Sequence, residues 1–173
     1  MTSPLETRLA LSSWAKSEAV KGISEVPMGS NDGPPFELYS MPGEQPLSWC
    51  ARFVRTGLLL FDALAKASLG MRYDMASASM MYKHLLVLGA SPVDASDVHE
   101  GDLRFLVGRG GSDPLASEEA GGIHHVGIVV DDPAVRNGER VCGFVDGNWG
   151  DMLSMHLDKV DRPEALYLRF PCL

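Results

Sequence analysis

Residues 123–130 read I-H-H-V-G-I-V-V, an apolar run opened by two histidines. A short apolar run of this length, followed by turn formers, reads as a β-strand whose successive side chains face opposite ways. It places His125, Gly127 and Val129 on one face and His124, Val126 and Ile128 on the other. Strand starts in open loops more often carry Ser, Asn or Asp. A histidine here is therefore either a capping or surface group or a positioned imidazole.

Similar short segments surround it. D-L-R-F-L-V (102–107), R-V-C-G-F-V-D (140–146), M-L-S-M-H-L (152–157) and A-L-Y-L-R-F (165–170) all read as strands, separated by turn-forming residues. Upstream of Pro92 the pattern is helical. Helices are expected over 5–23, over 48–68 with Ser48 as N-cap, and over 77–88 closed by Gly89. Residues 27–35, P-M-G-S-N-D-G-P-P, read as loop. Helices followed by antiparallel strands on short loops make an α+β layout, with N-terminal helices on a C-terminal sheet of about five strands. No repeat or linker-like tract divides residues 1–173, which are expected to form a single domain.

Composition narrows the function. The chain has a formal charge of −8, with 45% hydrophobic and 22% charged residues. Such a balance argues against non-specific binding to nucleic acid or to anionic membranes. No stretch approaches the roughly 18 apolar residues of a membrane span. Residues 1–11 lack the basic segment and apolar core of a secretory signal. The chain is expected to be made in a cytoplasm. Its three cysteines, an odd number, do not read as a disulfide framework.

Cys50 lies in L-S-W-C-A-R-F-V (47–54), in the first turn of the second expected helix. Unpaired N–H groups and the positive end of the helix dipole favour a thiolate there, and a buried structural thiol fits the same position. His125 is the candidate base, and His124 the weaker one. Gly127, beside His125, either lets a helix approach the sheet or marks a bulge. A hairpin about D-D-P-A-V-R-N-G, residues 131–138, pairs positions whose numbers sum to roughly 270, setting His125 opposite residue 145 or 146 to within one or two residues. Asp146 or Asn148 then orients the imidazole, or D-G-N-W-G is simply a turn. Cysteine chemistry needs a thiolate, a base and a group that orients the base, and Cys50, His125 and Asp146 or Asn148 supply that set.

The same residues resemble a known family. S-W-C-A-R-F-V is similar to the W-C-A-x-F-V segment of CHAP-type peptidoglycan amidases and endopeptidases, relatives of the NlpC-type papain-like enzymes. H-E-G-D-L-R-F-L resembles their P-G-D-x-V-x-F strand, H-H-V-G-I-V-V their G-H-V-G-I-V strand, and V-D-G-N-W-G-D their E-G-N segment. E-V-P-M-G-S-N-D-G-P (25–34) is similar to their Gly-Ser-Asn-rich lead-in. The matches run in family order over about residues 14–170. His124 stands where the family has Gly, His99-Glu100 where it has Pro, and Asp146 where it often has Glu.

The resemblance implies a papain-like fold, Cys50 as nucleophile and His125 as general base, with Asp146 or Asn148 orienting it. Trp49 and Trp149 become candidate substrate contacts. The implied substrate is the peptidoglycan peptide stem, and the implied roles are a phage lysis enzyme or an antibacterial effector. Either acts on the cell wall after release through a holin or a secretion system, the effector with an immunity protein or inhibitor as partner. A monomer with no cofactor and no metal is expected. The alternative is a wall-binding or virion-structural module that keeps the fold without turnover.

Other features carry less. No C-x-x-C or H-x-x-x-H pair suggests zinc. G-R-G-G lacks the third spaced glycine of a nucleotide loop. Met71, Met75, Met80 and Met81 read as core filling or an adaptable groove. Cys142 and Cys172 read as structural. The run L-L-L-F-D-A-L-A-K-A-S-L-G-M-R-Y, residues 58–73, looks longer than the helix of the family that the chain resembles, and that departure implies a lid or specificity region.

Overall fold

The computed structural model describes residues 3–44, 48–61, 77–108 and 122–170. Met71, Met75, Cys172, most of the 58–73 run and G-R-G-G beyond Gly108 lie outside the described residues.

Among the described residues, four helices precede the sheet. Helix α1 (Pro4–Ala19) starts at a capping box, in which the Ser3 hydroxyl accepts from the Glu6 N–H and the Glu6 carboxylate accepts from the Ser3 N–H. Helix α2 (Pro34–Tyr39) occupies residues expected to be loop or undefined; its two leading prolines preset the helical φ of a first turn. Helix α3 (Cys50–Phe61) begins one residue later than a Ser48 cap would place it: the Trp49 carbonyl accepts the first helical bond from Phe53, and the Ser48 hydroxyl bonds to Asn148 instead. Helix α4 (Ala78–Val87) is closed by Gly89 at positive φ.

The sheet is antiparallel throughout and larger than expected. It comprises β1 (Ser91–Val93), β2 (Leu103–Val107), β3 (Ile123–Val129), β4 (Ala134–Arg136), β5 (Glu139–Asp146), β6 (Ser154–Lys159) and β7 (Ala165–Arg169). The order is β1-β7-β2-β3-β5-β4, and β6 also pairs with β5. Among the described residues seven strands replace the expected five, because β1 and β4 are three-residue edge segments, too short for alternation to register. The α+β layout itself stands.

One sheet face packs on the helices. Trp49, Phe53 and Leu58 of the α3 region meet Phe105, Val126, Ile128 and Val145, with Leu85 of α4 in the same cluster. The opposite face carries a second cluster of Val129, Cys142, Phe144, Val160 and Tyr167. Cys142 is a buried structural thiol there, pushed up to about 12 by burial in apolar surroundings. Close approach of α1 requires glycine at two points. A Cβ on Gly57 would lie 2.5 Å from the Trp14 ring, and one on Gly101 would lie 2.5 Å from Arg8 Cβ. Gly101 also has φ +88°, in the left-handed region.

Alanine at Gly101 meets both constraints at once. The backbone conformation alone costs about 1–3 kcal/mol, and the contact with the Arg8 backbone adds to it. Gly101→Ala is expected to lower the urea midpoint of unfolding without changing its slope.

Candidate functional site

The site forms where β5 parts from β3. These strands pair at Gly127–Asp146, Ile128–Val145 and Val129–Phe144, and no further. The Val130 N–H donates to Gly143 of β5, while the Val129 N–H points the other way to Asp102. Alternation therefore aims the Val126 N–H at the β5 side, where β5 has already left. The Cys50 thiol lies beside that N–H and the His125 imidazole, both of which favour its ionised form. The departure of β5 is fixed at Gly147. A Cβ there would lie 2.9 Å from the Trp49 ring and 3.0 Å from Phe53, so α3 seats against bare backbone.

Asp146 pairs with Gly127, two residues further along β3 than the expected partner, His125. Its carboxylate still reaches the imidazole: His125 Nε2 lies 3.0 Å from Asp146 Oδ1. The missing side chain at Gly127 makes this possible, since a Cβ there would lie 1.8 Å from Asp146 Oδ1. Gly127 thus clears a path for a carboxylate within the sheet. The glycine that admits the helix is Gly147.

Asp146 is 0% exposed. Burial pushes its carboxyl up, but the Arg104 guanidinium, the His125 hydrogen bond and charge, and His156 together hold it below the usual carboxylate range. An ionised carboxylate offers only acceptors, so His125 Nε2 carries the proton that it donates. Nδ1 is left for the thiol. Burial pushes the imidazole down as well, yet the bonds to Asp146 and Cys50 and their negative charge outweigh it and raise His125 to about 10. For Cys50, 2% exposed, burial opposes ionisation, and His125, Ser48 and the Val126 N–H overcome it, leaving the thiol below its ordinary value. The arrangement favours a thiolate–imidazolium pair.

Other predicted residues fall elsewhere. Asn148, offered as an alternative orienter of His125, turns away from it. Its Nδ2 donates to Ser48 Oγ at 3.0 Å and to Asn31 Oδ1 at 3.3 Å, and Ser48 Oγ lies 3.7 Å from Cys50 Sγ. Trp49, offered as a substrate contact, is 0% exposed; its indole N–H donates to buried Glu25 and its ring stacks on Tyr39. Burial on both sides excludes contact with substrate. Trp149 is exposed, and its ring stacks on His156 with its edge toward His125. His124 is exposed at the strand start. His99 lies on the surface beside Asp132, and Glu100 accepts from Ser12 and Lys16. Met80 is exposed and Met81 buried in the core.

Comparison with protein-family models, with curated proteins and with solved structures returns no match.

Some residues of the site were missed from sequence. Arg104 is fully buried, with Nη2 donating to Asp146 Oδ2 at 2.9 Å and Nη1 to Asp158 Oδ2 at 2.8 Å. The signal was present: an arginine in the middle of an apolar strand, D-L-R-F-L-V, demands a buried anionic partner. Glu25 was hidden in the 25–34 loop; it also accepts the Asn31 N–H, fixing Asn31 beside Asn148. His156 lies 3.3 Å from Asp146 Oδ2. Among the described residues no group of three or more His, Cys, Asp or Glu is placed to hold a metal ion.

The raised imidazole and lowered thiol set a pH window. Cys50 is expected to alkylate well below the pH at which an ordinary thiol reacts, because its thiolate persists beside the imidazolium. The rate should fall only when acid protonates the sulfur, as peptide-level mass spectrometry would measure. Above about pH 10 the imidazolium, and the stability it contributes, are lost. Gly127→Ala, which displaces Asp146 from His125, is expected to move the onset of alkylation toward the ordinary thiol range.

Proposed function

We propose that this chain is a cysteine-dependent hydrolase that cleaves an amide bond of bacterial peptidoglycan. The observation that carries the reading is the row Cys50–His125–Asp146, in which His125 bonds to Asp146 and favours the Cys50 thiolate, at the start of a helix packed on an antiparallel sheet. In this reading His125 Nδ1 takes the thiol proton and the Cys50 thiolate attacks the amide carbonyl. The carbonyl oxygen becomes an oxyanion, stabilised by unpaired N–H groups of the first turn of α3. The imidazolium then gives its proton to the leaving amine as the C–N bond breaks. A water deprotonated by His125 attacks the thioester, releasing the carboxylic acid and regenerating the thiol. Asp146 holds the ring and its tautomer throughout.

The choice of peptidoglycan rests on the ordered resemblance of W-C-A, G-D-L-R-F, H-V-G-I-V and D-G-N to segments of CHAP- and NlpC-type enzymes, and with it a papain-like arrangement of the helix and sheet. Exposed Trp149, against both imidazoles, is the ring suited to wall the cleft. The same resemblance supports a phage lysis enzyme or an antibacterial effector, the latter with an immunity partner.

The near-complete burial of the Cys50 sulfur favours a second reading, a wall-binding module without turnover. Purified cell wall incubated with the protein separates the two. Soluble fragments with new amino termini are expected from the wild type and at least about a hundredfold fewer from Cys50→Ala. Equal release from both, or none from either, overturns the hydrolase.

A further inference from the structure

We propose that Arg104 is a positioning residue for this site, its guanidinium holding the Asp146 carboxylate in the rotation that presents Oδ1 to His125. The inference rests on the hydrolase reading above and extends it to a residue on a strand that contributes nothing to the triad.

The sheet register builds the contact. Arg104 of β2 pairs with Gly127 of β3, and Gly127 pairs with Asp146 of β5. Paired residues of adjacent strands share a face, so Arg104, Gly127 and Asp146 form one row across three strands. Side chains two strands apart are ordinarily separated by the one between them. Here that residue is glycine, and the guanidinium and the carboxylate meet over it at 2.9 Å, both 0% exposed.

The division of the carboxylate is specific. Oδ2 takes Arg104 at 2.9 Å, with His156 Nε2 lying 3.3 Å from it, and Oδ1 takes His125 at 3.0 Å. With Oδ2 anchored, the carboxylate cannot rotate without losing a charge-assisted bond in a dry environment. The guanidinium is itself fixed. Its second nitrogen bonds Asp158 at 2.8 Å, and its plane lies over the Phe144 ring, 3.6 Å from the centroid. Arginine's planar fork meets two carboxylates at once, which a lysine ammonium does not reproduce. The charged and titratable groups around the thiol are then His125 on β3, Asp146 on β5, Arg104 on β2, His156 and Asp158 on β6, and Arg52 on its own helix.

Removing Arg104 acts on Cys50 mainly through His125. Losing the cation takes positive potential from the site, and an Asp146 that then takes up a proton or rotates away leaves His125 without the partner that keeps it charged. That loss disfavours the thiolate.

The test is the pH dependence of iodoacetamide alkylation at Cys50, read by peptide mass, in wild type, Arg104→Met, Arg104→Lys and Asp158→Asn, with folding checked by circular dichroism and thermal unfolding. Arg104→Met is expected to raise the midpoint by about one pH unit or more, a tenfold loss of thiolate at a fixed lower pH. Arg104→Lys should lie between it and wild type. Asp158→Asn removes the other partner of Arg104 and should lower stability while leaving the midpoint at or below that of wild type. A merely structural Arg104 predicts lost stability with an unmoved midpoint, and that result in Arg104→Met overturns the inference. If Arg104→Met does not fold, a wild-type midpoint in Arg104→Lys overturns it equally. An unreactive Cys50 in the wild type would instead defeat the hydrolase reading itself.

Discussion

A carboxylate with no exposure to solvent, Asp146, is the group on which the site depends. An isolated carboxylate in such a position would take up a proton rather than pay the desolvation cost. It stays ionised because Arg104 and His125 give it donors and positive charge, with His156 beside them. Those partners come from β2, β3 and β6, so the chemistry of one side chain is tied to correct pairing across most of the sheet. A register slip on any of these strands would leave a buried charge unpaired, and breaking such a pair is typically worth about 3–5 kcal/mol. The ionic row therefore links site geometry to strand register.

Two glycines make that row compatible with a packed interior. Gly127 leaves the volume through which Asp146 reaches both His125 and Arg104, and Gly147 lets α3 press against the strand end, so that Cys50 meets the freed Val126 N–H. A helix start and a strand end meet edge-on, and the sulfur occupies the hydrogen-bonding position that β5 vacates. The helix is anchored from the other side. Buried Arg52 and Arg55 hold the 39–44 segment, with Arg55 meeting both oxygens of Glu44 and Glu25 accepting from Trp49. The thiol is thus held by rigid elements rather than by a loose loop, as a site requiring sub-ångström placement needs.

Reading the sequence located Cys50, His125 and Asp146 because helix starts, strand alternation and hairpin midpoints are local properties. The same reading set the hairpin register to within two residues, and gave Gly127 a helix as neighbour where the structure has Asp146. It also left Asn148 and Asp146 as equals. Only packing separates them: Asp146 lies within β5 and points to the face that His125 shares, whereas Asn148 follows Gly147 into the turn, takes φ +60°, and bonds to Ser48 and Asn31. Trp49 shows the same limit. A tryptophan beside a candidate nucleophile reads as a cleft wall until tertiary structure supplies Glu25 and Tyr39 to bury it.

The sequence by itself determined the α+β order of elements, the helix that begins at Cys50 and the strand that carries His125. Each follows from interactions between residues close along the chain, recorded as periodicity, caps and turns. Tertiary structure alone decided that Asp146 is the partner of His125, that Arg104 stands behind it, and that a missing side chain at Gly127 joins them. These three residues come from three strands separated along the chain, and their meeting depends on register and on space left empty, neither of which any local pattern encodes.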